Sequence, residues 1–577
     1  MMAFLDIIVA KFYGLYPKEV TKIVDNNRRE SVQVHDAHKI EYRKLVQIPV
    51  SLAVEDQPME DRISVLPDEI LSYILAHLTL RDAVRMSTLS RSWKNLYLPY
   101  LDLDWRVMSG CKVPFHMKKC ENYKQQFIES VDQVLQLYKD INITKFRFSF
   151  CYNKRYSTDV DKWINFAAEK DLECLKLEFI CIDRKSSIIY LERDELYVIC
   201  TSFLTRFRDL RNLRLDFCIL KIYGDFSFKR LVKLDLNYVV LDGAQWQCFL
   251  SEASSVEWLR LRNCNLPEKF CIGYNLWSLN FLMIDSCPDV REIDINSRNL
   301  KSLEFIGEVI ANFSSLNAPR LENVYVYPLE KEIYDAQYFL ENLARRSSGV
   351  VTLFLEGTYS VISKLPTQSG TLFQSVLQLN LSLEEDVSNF DLEKVLPRVL
   401  KAFPLLQKFS VQLPMMINYF KRHNIPGKIQ VDNFNANLKE VELGGFEPDW
   451  LFFASYLLRS CPLLDQMVIN KIGKRYVGCG SWKVYVNDAW FNLRDSVQIS
   501  AALKGKAVSP TARLIISDVR NCNYLTPSLS SLLDIDLNVE PSRIPFDLSS
   551  SDPSRFSNTI VTCTRHGLLR VKKEKGN

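Results

Sequence analysis

The sequence has no apolar run long enough to cross a bilayer; nothing in it approaches the roughly 18–20 uninterrupted apolar residues of a spanning helix. The apolar stretch Ala3-Phe4-Leu5-Asp6-Ile7-Ile8-Val9-Ala10 has no basic segment ahead of it and carries Asp6 inside it. It therefore reads as a short helix or an extension rather than a signal peptide. An excess of one charge is missing too. Lysine and arginine number 73 against 69 acidic residues, and a net charge of +4 gives no electrostatic reason to expect nucleic-acid binding. The 15 cysteines are odd in number and form no CxxC pair. Without a signal peptide they are expected to stay reduced, in the cytosol or nucleus, and sites such as Asn142-Ile143-Thr144 to stay unglycosylated.

Recognisable catalytic chemistry is equally scarce. There are six histidines, and the close pair His35 and His38 has no Cys or Glu partner at metal-ligand spacing. No G-x-x-x-x-G-K-S/T, no paired-glycine dinucleotide fingerprint and no G-x-S-x-G elbow occurs. Gly444-Gly445 reads as a turn. No catalytic residue, metal or cofactor is expected.

What the chain does contain is a repeat. Hydrophobic residues make up 47% and charged residues 25%, so most of the chain can bury a core. Leu210-Arg211-Asn212-Leu213-Arg214-Leu215-Asp216-Phe217-Cys218-Ile219-Leu220 fits L-x-x-L-x-L-x-x-N/C-x-L at every specified position. Further copies start at Leu231 (Leu234, Leu236, Val239, Leu241), Val256 (Leu259, Leu261, Cys264, Leu266) and Leu279 (Leu282, Ile284, Cys287). Weaker ones lie upstream at Ile143/Phe146/Phe148/Cys151 and Leu172/Leu175/Leu177/Ile180. Others lie downstream at Leu300/Leu303/Phe305, Leu321/Val324/Val326, Leu379/Leu381, Phe409/Val411, Leu438/Val441/Leu443 and Met467/Ile469. The best copies are spaced roughly 21 to 25 residues apart, as leucine-rich repeats are. Beyond residue 320 the spacing widens, which predicts longer outer segments; Phe339-Leu340-Glu341-Asn342-Leu343 is a candidate helix.

The x-L-x-L core predicts a short strand, leucines inward and alternate residues on the concave surface. One unit cannot bury its apolar face alone, but stacked copies can. Cys151, Cys218, Cys264 and Cys287 share one repeat position and are expected to be packing thiols. On the concave side, Arg214, Asp216, Lys233, Asp235, Arg260, Arg262 and Asp285 are expected to be exposed. With Tyr238 and Trp258 as anchors they form the candidate target-binding face.

Ahead of the repeats lies Asp61-Arg62-Ile63-Ser64-Val65-Leu66-Pro67-Asp68-Glu69-Ile70-Leu71. Pro67 suits a first helical turn, and Asp68 and Glu69 suit its positive end. Ile70, Leu71, Ile74, Leu75 and Leu78 then share one helical face. Thr79 and Asp82 resemble a capping box for a second helix carrying Val84 and Met86. Ser90 is placed to cap a third helix with Trp93 and Leu96. Three helices in about 40 residues sit near the lower limit of independent folding, so a partner is expected to complete their core.

Residues 61–98 resemble an F-box, in the plant form D-x-I-S-x-L-P-D-x-I-L followed by L-S-x-x-W, here Leu89, Ser90 and Trp93. Tyr97 stands where that form commonly has Trp. The resemblance implies binding to a Skp1-type adaptor and, through it, a cullin–RING ubiquitin ligase. Leu66, Pro67, Ile70, Leu71, Ile74, Leu78, Val84, Leu89 and Trp93 would be the contacts or their supports. A second resemblance spans Asn437-Leu438-Lys439-Glu440-Val441-Glu442-Leu443-Gly444-Gly445-Phe446 and Tyr456-Leu457-Leu458-Arg459-Ser460-Cys461-Pro462-Leu463-Leu464. It is similar to the FBD segment of plant F-box/leucine-rich-repeat proteins, and reads as strand, turn, helix and strand.

The expected architecture is α/β, a three-helix F-box followed by an irregular leucine-rich-repeat solenoid with a curved parallel sheet inside and helices or loops outside. Its parts are an N-terminal extension (1–58), the F-box (61–105), the repeat array (120–432) and an FBD-like cap (433–472). After them come a segment of unassigned role (473–536) and a Ser/Pro/Asp-rich flexible tail (537–577). The expected function is that of a non-catalytic substrate receptor binding a Skp1-type adaptor and a protein target. The alternatives are a non-degradative interaction scaffold or, ranked below it, a small-molecule-dependent receptor.

Overall fold

The structure, a computed structural model, describes residue 71 and residues 100–104, 117–179, 196–308, 312–329, 333–368, 372–383, 392–413, 436–485, 493–517, 559–563 and 569–573, except 225, 347 and 448–449. The chain divides into two units, residues 1–67 with 522–535 and residues 68–521 with 536–577; every described residue belongs to the second. The three helices expected over 61–98 therefore lie outside the described residues, save Leu71, which is helical and buried.

The leucine alternation becomes a ladder of short parallel strands. They are β1 (Tyr100–Asp104), β2 (Lys145–Ser149), β3 (Cys174–Glu178), β4 (Tyr197–Cys200), β5 (Asn212–Lys221), β6 (Lys233–Val240) and β7 (Trp258–Arg262). After β8 (Lys269–Ile272) come β9 (Phe281–Asp285), β10 (Glu292–Asn296), β11 (Ser302–Glu308), β12 (Asn312–Asn317), β13 (Asn323–Leu329) and β14 (Thr352–Gly357). The chain continues through β15 (Gln378–Leu383), β16 (Lys408–Gln412), β17 (Glu440–Gly444), β18 (Gln466–Asn470), β19 (Gly473–Tyr476), β20 (Trp482–Tyr485) and β21 (Arg513–Ser517).

One 16-stranded sheet runs β1-β2-β3-β5-β6-β7-β9-β11-β13-β14-β15-β16-β17-β18-β21, with β4 beside the far half of β5. Every expected repeat copy supplies a strand of it, and equivalent leucines align: Leu175, Leu213, Leu234, Leu259, Leu282, Leu303 and Val324 are register partners in turn. These side chains are buried on the inner face. Four strands add to the copies read from sequence: β1 with Leu101 and Leu103, β4 beside β5, β14 with Leu353 and Leu355, and β21 with Leu514 and Ile516. The sheet thus begins inside the range read as the F-box and ends inside the segment of unassigned role.

A backbone kink recurs in four central repeats, inside β5 and β6 and directly after β7 and β9. Phe217, Tyr238, Asn263 and Ser286 have φ between 50° and 57°, and each directly precedes the repeat position held by Cys218, Val239, Cys264 or Cys287. The kink turns the Asn263 N–H to the Asp285 carbonyl (2.8 Å) and the Ser286 N–H to the Ile306 carbonyl (2.7 Å), one repeat onward. Cys264 donates back to the carbonyls of Arg262 (3.3 Å) and Leu236 (3.7 Å). The expected packing role of these thiols is what the structure shows, with buried Cys151, Cys218 and Cys264 and a partly buried Cys287. Burial pushes the Cys264 thiol up to about 12.

Outside the sheet, helices and a second parallel sheet, β12-β10-β8, seal the core. Trp163, on the helix Ser157–Ala168, meets Phe127, Phe148 and Phe150. The helix expected around Phe339 is Ile333–Arg346, and Phe339 packs on Phe305 and Phe313. The FBD-like stretch folds as β17, a turn at Gly445 (φ 68°), the helix Leu451–Ser460 and β18. In the tail, Thr559–Cys563 and Leu569–Lys573 pair as antiparallel strands. No helix among the described residues is long and apolar enough to cross a membrane.

Candidate functional site

Alternate residues of each strand lie on the face opposite the leucines, and the parallel register sets them in rows. One row passes through Asp102, Arg147, Lys176, Arg214, Asp235, Arg260, Met283, Glu304, Tyr325, Phe354, Asn380, Ser410 and Glu442. Its first half is a charge ladder. Arg147 reaches Asp102 (3.2 Å), Asp104 (3.4 Å) and Glu178 (3.1 Å). Arg214 pairs with Asp216 at 2.8 Å and faces Glu178 at 3.6 Å. Arg260 forks onto Asp235, its Nε at 2.7 Å from Oδ1. Arg262 faces Asp285 at 3.5 Å.

The expectation that these groups are exposed does not hold. Asp216 is 0%, Trp258 1%, Arg260 3% and Asp235 5% exposed, while Arg214, Lys233, Tyr238, Arg262 and Asp285 are half-buried. Charges of opposite sign on adjacent strands pair laterally and cover one another, so alternation alone overstates their access to solvent. Burial pushes the Asp235 carboxyl up, but the Arg260 and Arg214 guanidiniums outweigh it and hold it at about 2. For Asp216, burial prevails over Arg214 and its carboxyl is raised. Tyr238 stacks on Phe217 (centroids 4.3 Å apart), and Lys233 lies 4.0 Å over the Trp258 ring.

From β7 onward the face turns aromatic, and here the second cause of burial appears. Trp258, Phe281 and Met283 form one cluster, and Tyr325, Phe354 and Tyr476 another. Tyr476 belongs to an antiparallel hairpin, β19–β20, whose residues were not singled out in the sequence. Its tip, Gly478-Cys479-Gly480, has positive φ at all three positions (89°, 52° and 75°). The φ of 89° favours glycine at 478, and a Cβ there would lie 2.9 Å from Met283 Cε and 3.0 Å from Glu304 Oε2, so both side chains would have to shift.

The hairpin is held by carboxylates. Glu304, fully buried, accepts the Tyr476 hydroxyl (2.5 Å) and the Cys479 N–H (2.9 and 2.8 Å), and the Gly480 N–H donates to the same hydroxyl at 2.7 Å. Arg475 pairs with Glu356, and Lys474 with Glu442 at 2.9 Å. The Lys474 N–H donates to Gln412 Oε1 at 2.9 Å. Trp482 packs on Tyr476 and Phe354. Burial raises the Glu304 carboxyl to about 7 against the opposing Tyr476 and Cys479 hydrogen bonds. Tyr-x-Gly-Cys-Gly-x-Trp is a turn flanked by aromatics, a local signal for the hairpin but none for where it docks.

This face offers ion pairs, hydrogen bonds and ring surface, the means of recognising a polypeptide. Among the described residues no group of three or more His, Cys, Asp or Glu side chains is placed to hold a metal. The expected adaptor contacts Leu66, Pro67, Ile70, Ile74, Leu78, Val84, Leu89 and Trp93 lie outside the described residues; Leu71 is buried.

Residues 134–481 match the family described as At1g61320/AtMIF1, LRR domain, and residues 63–96 match the F-box domain. An F-box/FBD/LRR-repeat protein of Arabidopsis thaliana, At1g13780, is 24% identical over 463 residues, covering 72% of this chain and 92% of that protein. The F-box/LRR-repeat protein At3g03360 of the same plant is 23% identical over 376 residues, covering 61% of this chain and 70% of its own. Among solved structures, the LRR protein LIC12759 of Leptospira interrogans is 12% identical, covering 76% of this chain and 98% of that one at a TM-score of 0.25.

Proposed function

We propose that this chain, which belongs to the At1g61320/AtMIF1 leucine-rich-repeat domain family and carries an F-box domain ahead of its repeats, is the substrate-receptor subunit of an SCF-type cullin–RING ubiquitin ligase. F-box/leucine-rich-repeat proteins are typically non-catalytic adaptors of this kind. The observation that carries the reading is the F-box match at residues 63–96 on the same chain as a long parallel repeat sheet. The F-box would dock on a Skp1-type adaptor with Leu66, Pro67, Ile70, Ile74, Leu78, Val84, Leu89 and Trp93 as contacts or their supports and buried Leu71 as a support. The concave face would hold a protein target, with Arg214, Asp216, Lys233, Asp235, Tyr238, Trp258, Arg260, Arg262 and Asp285 building or bordering that surface.

Catalysis in this reading is by proximity. Holding a target lysine near a charged conjugating enzyme raises its effective concentration, and no residue of this chain enters the chemistry. The test is capture of a Skp1-type adaptor by the full chain and by Leu66→Ala with Pro67→Ala. Wild type is expected to capture the adaptor, and the double variant to lose it while circular dichroism of the repeats stays unchanged. Equal capture by both would count against the F-box as the docking element, and no capture by folded wild type would sink the receptor reading.

A further inference from the structure

We propose that the concave groove from β11 to β17 is a recognition site for a peptide turn carrying two basic residues followed by an aromatic hydroxyl, and that Lys474-Arg475-Tyr476 of the chain's own hairpin occupies it as an internal competitor. The proposal rests on the receptor reading above and adds the chemistry of the partner.

The two halves of the sheet face opposite the leucines are neutralised differently. In the first half, Asp102, Glu178 and Asp235 take their cations from neighbouring strands, through Arg147 and Arg260, and Asp216 takes Arg214 from its own strand. In the second, the cations come from the hairpin. Glu356, which also accepts the Tyr325 hydroxyl, pairs with Arg475. Glu442, which also accepts from Ser410 and Asn470, pairs with Lys474, and Glu304 receives a hydroxyl and an N–H of the hairpin. The match is residue by residue along one short segment. Rings reinforce it: Tyr476 stacks on Phe354 (centroids 4.7 Å apart) and meets Tyr325 edge-on (4.8 Å), and Arg475 lies over Tyr327. With the hairpin away, the groove presents three carboxylates interleaved with aromatic faces, a surface complementary to a basic–aromatic peptide.

The hairpin can leave without breaking a hydrogen bond of the main sheet's ladder. β19 and β20 pair only with each other and form a sheet of their own, while β17, β18 and β21 stay continuous with the main sheet. A lone two-stranded hairpin is marginal in water, so its order depends on the groove. What a target must displace is therefore a set of side-chain contacts, and the measured affinity falls by the fraction of molecules in which the groove is open.

The experiment uses the full chain and a fluorescein-labelled peptide of its own residues 472–486, read by anisotropy. The variant Lys474→Ala, Arg475→Ala, Tyr476→Ala frees the groove; it is expected to bind the peptide at least about tenfold tighter than wild type does. Adding Glu356→Gln and Glu442→Gln to it should reverse that gain, and a peptide with alanine at the three positions should not bind. Should the triple variant fail to fold, Arg475→Ala alone carries the same comparison. Equal binding by wild type and freed chain, no binding by either, or indifference to Glu356 and Glu442 overturns the proposal and makes the hairpin a permanent part of the core. Adaptor capture by the same preparations separates the two readings: capture without peptide binding sinks only this one, and peptide binding without capture sinks only the receptor role.

Discussion

Glu304 shows how much a single residue decides on the polar face of the sheet. It sits at the centre of its row, fully buried, with Arg260, Asp285, Tyr476 and Cys479 as the charged and titratable groups acting on it. Burial lifts its carboxyl from 4.5 to about 7, which makes the folded state bind a proton that the unfolded chain releases. Its contribution to stability is thus fully present below pH 4.5 and is lost as pH rises to about 7, a difference on the order of 3 kcal/mol. Glu304→Gln keeps an acceptor for Tyr476 and Cys479 but cannot titrate. Urea midpoints measured from pH 4.5 to 8 should fall for wild type across that window and fall less steeply for the variant. Identical slopes would mean that another group carries the dependence. The charge ladder obeys the opposite sign at Asp235, whose depressed carboxyl contributes stability above pH 3.8 that is lost as pH falls through about 2.

At the scale of the element, the repeat was readable from the chain and its decorations were not. Leu213, Leu215, Leu234 and Leu236 announce their strands because a strand buried on one face must alternate. Thr352–Gly357 is harder to read because all six residues are buried, so polarity no longer marks its two faces. The kinks at Phe217 and Tyr238 carry no glycine signal, since stacking of the two rings compensates a backbone that such residues rarely adopt. Turns divide in the same way. Gly445 has φ 68°, and a Cβ there would lie 2.5 Å from the Leu413 carbonyl oxygen, part of the backbone. Gly224 has a similar φ of 66° and nothing within 4 Å. Both alanine substitutions pay for left-handed strain, about 1–2 kcal/mol, but only Gly445→Ala must also move a neighbouring strand end. Denaturant titrations should show Gly445→Ala losing clearly more stability than Gly224→Ala; equal losses would show that the Leu413 contact relaxes freely.

For the whole molecule, the hairpin changes what kind of object the repeat array is. A solenoid is held by nearest neighbours, so each repeat ordinarily answers only to the next one. Here contacts at sequence separations of 172, 175 and 219 residues tie the hairpin after β18 to β11 and β7. Arg260, Glu304, Glu356 and Glu442 are thereby bound to a single element, although their strands run from β7 to β17. No periodicity of the sequence announces such a link, because it joins one copy of the repeat to others several turns away. The consequence is cooperativity confined to the strands the hairpin spans. Tyr476→Ala should lower hydrogen-exchange protection of the β7, β9, β11, β13 and β14 amides together, by a common factor, while β1, β2 and β3 keep their wild-type protection. That pattern requires the hairpin to bridge the central repeats as a unit. Loss limited to β19 and β20 would leave the stack a nearest-neighbour one, and equal loss in β1–β3 would mean that the array unfolds as a whole whatever the hairpin does.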